Sequence, residues 1–112
     1  MSTRSQVKVI SNEFDYPIYL YQHYDGYNLF ETVKNAIARH QRWNHPEYLT
    51  RIIFSEMIRD HIDDETGYGI GTSIHCDIDY LIVVDIDKQT ITEYENIEPN
   101  GTKTKVKFNE VL

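Results

Sequence analysis

The run Tyr80-Leu81-Ile82-Val83-Val84-Asp85-Ile86 constrains this chain more than any other stretch. Its apolar residues are nearly continuous, which marks a central strand of a sheet rather than an edge. A chain of 112 residues has room for one domain with one modest core, so the sequence is read as a single domain spanning 1–112. The remaining elements must then pack around that strand.

Gln6 to Ser11 alternates and predicts a first strand, with Val7 and Val9 on one face. Asn12 to Pro17 carries turn residues. Ile18 to His23 predicts a second strand, with Ile18, Leu20 and Gln22 on one side and Tyr19, Tyr21 and His23 on the other. Asn28 with Glu31 has the spacing of a capping box at the start of a helix from Leu29 to about Arg39. Its apolar stripe is Leu29, Val33, Ala36 and Ile37. Pro46 suits the first turn of a second helix, running from Glu47 to about Ile62. Leu49, Ile52, Ile53 and Met57 form its stripe, widened by Phe54 and Ile58. So broad an apolar surface predicts a sandwiched helix, or one that also meets a partner or a second copy in a homodimer. Asp63-Asp64-Glu65 opposes the helix dipole and predicts fraying there.

Gly67-Tyr68-Gly69-Ile70-Gly71 reads as a short strand or extended edge. Thr90 to Tyr94 predicts an antiparallel return from the central strand. Asn100-Gly101 is a hairpin-turn signal. Lys105 to Phe108 predicts an edge strand with Lys103, Lys105 and Lys107 outward, a pattern that discourages aggregation. The predicted fold is α+β: an antiparallel sheet of about five strands with two helices on one face, in the order ββααβββ, with room for a sixth short strand.

Hydrophobic content is 40% and charged content 26%, values of a globular chain. No apolar run is long enough to cross a bilayer, and the first residues lack a signal-peptide core, so the expectation is a cytoplasmic protein without membrane contact. Net charge is −7, divided as +1 over residues 1–59 and −8 over residues 60–112. The acidic half disfavours direct DNA binding, which needs cations. It suits a surface that meets a basic groove on another protein, and it also simply favours solubility.

Five constellations carry candidate chemistry. Tyr21-Gln22-His23-Tyr24-Asp25-Gly26-Tyr27 places His23 and Asp25 two apart, on one side beside Tyr21 if the strand continues. That pair has the elements of a base oriented by a carboxylate. The tyrosines offer flat faces beside a helix start, where anions are favoured. Asp-Gly is equally ordinary turn chemistry, and the stretch is read first as a turn and second as a ligand lip. Arg39, Arg42 and Trp43, with His40 and His45, have the composition of a base or phosphate clamp. They also suit a solvated helix end with one core anchor. Arg51 either pairs with Glu47 or reaches the Tyr24–Asp25 turn. The 67–71 glycines lack the lysine of a phosphate-binding loop. Asp77, Asp79, Asp85 and Asp87 are oxygen donors near His75 and Cys76, but their spacing is also that of hairpin turns, and neither a metal nor a cofactor is expected. With Asp63, Asp64 and Glu65 these aspartates form the candidate acidic interaction surface.

Taken in order, YQHYDGY before a helix, PEYLTRIIFSEMI, GYGIG and a strand ending VVDID resemble small phage and prophage proteins of unknown function. Those proteins carry a His-aromatic-Asp-Gly-Tyr-Pro run after an N-terminal strand pair. Tyr24 stands at the aromatic position, and Asn28 stands where the proline is expected. The likeness covers about residues 6 to 95. It implies a phage-encoded protein acting in the bacterial cytoplasm, of a size often used against host defence. The leading expectation is therefore a non-enzymatic inhibitor of a host defence protein, of the anti-CRISPR kind or similar. The alternatives are a sponge for a small nucleotide signal, using residues 21–27 and 39–45, and a small hydrolase using His23 and Asp25.

Overall fold

The computed structural model describes residues 3–95 and 103–112. Six strands form one mixed sheet: β1 (Ser5–Ile10), β2 (Ile18–Gln22), β3 (Tyr68–Gly71), β4 (Tyr80–Asp85), β5 (Thr90–Glu95) and β6 (Lys103–Lys107). Their order across the sheet is β3-β2-β1-β4-β5-β6. Two helices, α1 (Leu29–Ile37) and α2 (Pro46–Met57), lie between β2 and β3 in sequence. The class is α+β.

The strand expected to be central, β4, is internal, paired with β1 on one side and β5 on the other. Registers join Val7 to Leu20 and Ile82, and Val84 to Val9 and Ile91, on one face. All six side chains are fully buried. Leu29, Val33 and Ile37 of α1 and Leu49, Ile53 and Met57 of α2 complete this core. Each such side chain contributes about 1.5–3 kcal/mol by leaving water. Phe108 enters the same core from a 3-10 turn at Phe108–Val111.

The sheet differs from the expected one in direction. Its sixth strand is the short edge at Tyr68–Gly71, which adds as β3 to the outside of β2. The sheet is mixed, because β4 runs parallel to β1. The segment 72–79 causes this. It leaves β3 at one end of the sheet, crosses β2 and β1 on the face without helices, and enters β4 at the end where β1 begins. Gln6 holds it in passing: its amide donates to the Ser73 carbonyl and accepts from the His75 N–H. About eight residues suffice for such a diagonal, since extended chain covers ~3.3 Å per residue.

The helix ends also differ. Asn28 makes no side-chain cap, because it lies in the αR region and belongs to a 3-10 turn, Gly26–Asn28, opened by left-handed Asp25. Glu31 instead pairs with Lys34. α1 stops at Ile37, two residues early, and His40 turns the chain at φ 55°. α2 stops at Met57 rather than Ile62. Residues 58–64 form successive turns in which His61 N–H donates to Ile58 and Asp64 N–H to His61. Asp60, Asp63 and Asp64 would all repel the negative end of a longer helix. Ile52, Phe54 and Ile58, the surplus apolar residues of this segment, pack half-buried against the core. The Asn100-Gly101 turn lies outside the described residues. β6 forms the lysine-bearing edge, with Lys105 and Lys107 exposed.

Glu93 lies on the helix-covered side of β5, in register with Ile82. Burial raises its carboxyl above the ordinary range, Glu95 and Glu31 add to this, and Lys34 opposes it. A raised folded-state pKa means that the native state binds this proton more tightly. The contribution is therefore most favourable below the ordinary glutamate pKa and is lost as pH rises through the folded value. Glu93→Gln should raise Tm slightly at neutral pH, by less than ~1 kcal/mol of stability. The gain should vanish near pH ~4. Melting curves at both pH values test this, and a gain unchanged by pH would contradict it.

Candidate functional site

The N-terminal end of β1 gathers most of the predicted site. β2 ends at Gln22, and Asp25 turns the chain in a left-handed conformation so that Gly26 can donate its N–H to the Thr3 carbonyl at 2.9 Å. A side chain at Gly26 has no room: a Cβ there would stand 2.6 Å from Thr3 O and 2.7 Å from Ser5 Oγ. The glycine of YQHYDGY is thus required by packing against the start of β1.

The reversal separates His23 from Asp25. Tyr21 Oη and Arg4 Nε both meet His23 Nδ1, at 3.0 and 3.3 Å. A guanidinium only donates, so Nδ1 is the acceptor and Nε2 carries the ring proton. Asp25 lines a recess on the other side of the sheet edge, with Gln22, Glu56, Asp60, His61 and Tyr68. The expected same-side pair is therefore corrected, because the left-handed turn ends the strand alternation that would have aligned them. Among the described residues no carboxylate orients His23, and its Nε2 is a donor.

Arg4 also links two stretches that the sequence kept apart. Its guanidinium pairs with Asp77 at 3.4 Å, and its N–H donates to Asp79 at 3.2 Å. His75 stacks on Tyr21, centroids 4.8 Å apart. The Tyr24 ring meets His23 edge-on. Burial raises the Tyr21 pKa; Arg4 lowers it and Asp77 raises it. The hydroxyl is thus a proton donor at neutral pH. Arg4, Gln6 and Tyr68 were missed in the sequence. Nothing local marks them, since their roles come from β1 lying between β2 and β4 and from β3 adding at the edge.

Two recesses flank β3. On the helix-free face, Gln6, Tyr21, Gly69, Gly71, Ser73 and His75 line a cleft of about 140 Å³. On the other side the Asp25 recess measures about 230 Å³. Asp25 and Asp64 both act on the Tyr68 hydroxyl, whose pKa is raised first by burial and then by these two charges. His61 stacks on Tyr68 and pairs with Asp64 at 2.9 Å. Tyr27 Oη reaches Asp25 at 3.5 Å.

No family model matches the sequence, no curated protein is significantly similar to it, and no solved structure is significantly similar to its fold. The site is therefore argued from its own residues.

The 39–45 segment lies at the other end of α1, about 13 Å of helix away. Asn44 there accepts from Gln89 in the β4–β5 turn. α1 separates Arg42 and Trp43 from the 21–27 stretch, while Arg39 reaches the wall of the Asp25 recess at Glu56. Arg39 pairs with Glu56, Arg42 lies over the Tyr48 ring, and Trp43 donates to the Ile37 carbonyl at 2.9 Å. Arg51 is exposed and makes no ion pair with Glu47 among the described residues.

The acidic residues divide into three groups. Asp63, Asp64 and Glu65 precede β3. Asp77 and Asp79 bind Arg4. Asp85 and Asp87 accept from the Lys88 and Asn12 N–H groups at the far end of β4. Among the described residues no three metal-ligating side chains converge. Asp64 of the first group shares the Tyr68 hydroxyl with Asp25, and Asp25 lines the recess with Asp60 and with Arg59, which pairs with Glu56. Ile62, next to Asp63 in the chain, Ile70 of β3 and Tyr24 are exposed.

Proposed function

We propose that this is a small phage-type binding protein, not an enzyme, and that it inhibits a bacterial host defence protein by docking through the acidic side of β3. The observation that carries the reading is that Asp25, Asp60 and Asp64 converge on Tyr68 of β3, the strand whose Ile70 is exposed. Apolar contact area rimmed by like charge suits a basic protein surface, the charges steering the encounter. The commitment of His23 Nδ1 to Arg4 and Tyr21 argues against the hydrolase. The nucleotide sponge retains the cleft beside Tyr21 and His75. At about 140 Å³, and about 230 Å³ for the Asp25 recess, both spaces fall below the ~300–1,000 Å³ of ordinary ligand pockets, which puts protein binding first.

The test is capture of the target from a bacterial lysate by tagged protein, compared between two variants. Asp63→Lys, Asp64→Lys and Glu65→Lys together should reduce capture of a defined target by about tenfold or more. Glu13→Lys, in the distant β1–β2 turn, should leave it unchanged. Equal capture by both variants would defeat the proposed surface. A native mass spectrum showing an added ~300–700 Da in place of a protein would promote the sponge.

A further inference from the structure

The two edges of the sheet are unlike. β6 presents exposed Lys105 and Lys107, the usual protection against pairing with another strand. β3 is Tyr-Gly-Ile-Gly and carries no charge. His23 N–H donates to the Gly67 carbonyl, and the register runs on through Tyr21 with Gly69 and Tyr19 with Gly71. Antiparallel ladders alternate, so Gly69 and Gly71 bond to β2, while the N–H and C=O groups of Tyr68 and Ile70 point away from the sheet. No other described backbone group meets them. Side chains alternate too. Gly69 and Gly71 fall on the helix-free face, where a Cβ on either would have nothing within 4 Å. That bare floor forms part of the cleft beside Tyr21 and His75. The acidic residues Asp63, Asp64 and Glu65 stand just before the strand.

Resting on the binding reading above, we propose that β3 is a strand-addition site for an extended segment of the partner protein, which pairs antiparallel with Tyr68–Gly71. Backbone groups of Tyr68 and Ile70 supply the hydrogen bonds, as in other edge-strand recognition. An aromatic residue of the segment, opposite Gly69 or Gly71, lays its ring across the glycines into the cleft, where a cross-strand aromatic replaces the missing side chains. Antiparallel pairing brings the C-terminal end of the segment beside Asp63, Asp64 and Glu65, so basic residues belong there. A second copy of this chain fits less well. Its own β3 offers glycines, not rings, to the cleft, and each copy carries a net charge of −7.

The probe is a short synthetic peptide alternating tyrosine and valine and closing on two lysines, with a twin closing on two glutamates. Isotope-labelled full-length protein is titrated with each and followed by amide resonances and hydrogen exchange. The lysine peptide should shift residues 68–71 and slow exchange at Tyr68 and Ile70, and the glutamate twin should bind about tenfold more weakly. Gly69→Leu fills the floor and should weaken binding about tenfold while Tm does not fall. Ile70→Pro removes an outward N–H and should abolish the protection. Equal binding of the two peptides, no change at residues 68–71, or a dimer of the free chain with Tyr68 and Ile70 already protected would each overturn strand addition. If the lysate comparison succeeds and the peptide fails, docking stands and strand addition falls. If the charge reversals change nothing, the docking reading falls by itself.

Discussion

Phe108→Ala should remove about 3–5 kcal/mol of stability, the usual range for emptying a buried aromatic site. Phe108 is fully buried, its ring meets Trp43 at 5.4 Å, and its N–H donates to the Gln89 carbonyl at 2.8 Å. It joins the end of β6 to both helices' connection and to the β4–β5 turn, so no single element can move inward to fill the space. A domain of this length has about 5–15 kcal/mol in total. The loss should therefore lower Tm by roughly 10–25 °C. Trp43 fluorescence should shift to the red before global melting, because its indole would lose one wall. A Tm within a few degrees of the parent protein would show that the 108–111 turn is peripheral to the fold.

Gly26→Ala should be the costliest single-methyl addition in the YQHYDGY stretch, at about 1–3 kcal/mol. The obstacle is backbone: Thr3 O stands 2.6 Å from the added carbon, and moving it breaks the Gly26 N–H bond that ties the turn to β1. Ser5 is fully buried behind it, and its Oγ has no hydrogen-bond partner among the described residues, so the hydroxyl has no alternative site to retreat to. Gly69→Ala supplies the contrast, since the same methyl there meets nothing within 4 Å and should leave Tm unchanged or slightly higher. Thermal or urea melts of the pair decide the matter. Equal stabilities would mean that Thr3 and Ser5 yield freely and that packing does not require a glycine at position 26.

The packing at Gly26 also governs the rest of the stretch. The residues serve first as a strand-to-helix turn. His23 and Asp25 then part company, His23 toward Arg4 and Tyr21, Asp25 toward Tyr68. Their spacing in sequence predicted one shared side because strand alternation was carried past the end of β2 at Gln22 to Asp25. A left-handed residue at position 25 ends that alternation, and no local composition distinguishes it from a regular turn.

Periodicity alone was enough for the core. Val7, Val9, Leu20, Ile82, Val84 and the stripes Leu29-Val33-Ile37 and Leu49-Ile53-Met57 all follow from apolar residues repeating at strand or helix spacing, and all are buried. The lysine-bearing edge and the central place of Tyr80–Asp85 were legible for the same reason: side-chain chemistry reports which face or edge meets water. What only the tertiary structure decided is direction and neighbourhood. Whether β4 runs with or against β1 depends on how residues 72–79 cross the sheet, and their sequence does not encode that path. The same crossing brings His75 to Tyr21 and Asp77 to Arg4, and it leaves β3 as an uncharged free edge. Burial is a property each residue carries in its own chemistry. Contacts between residues some seventy positions apart arise only when the whole sheet closes.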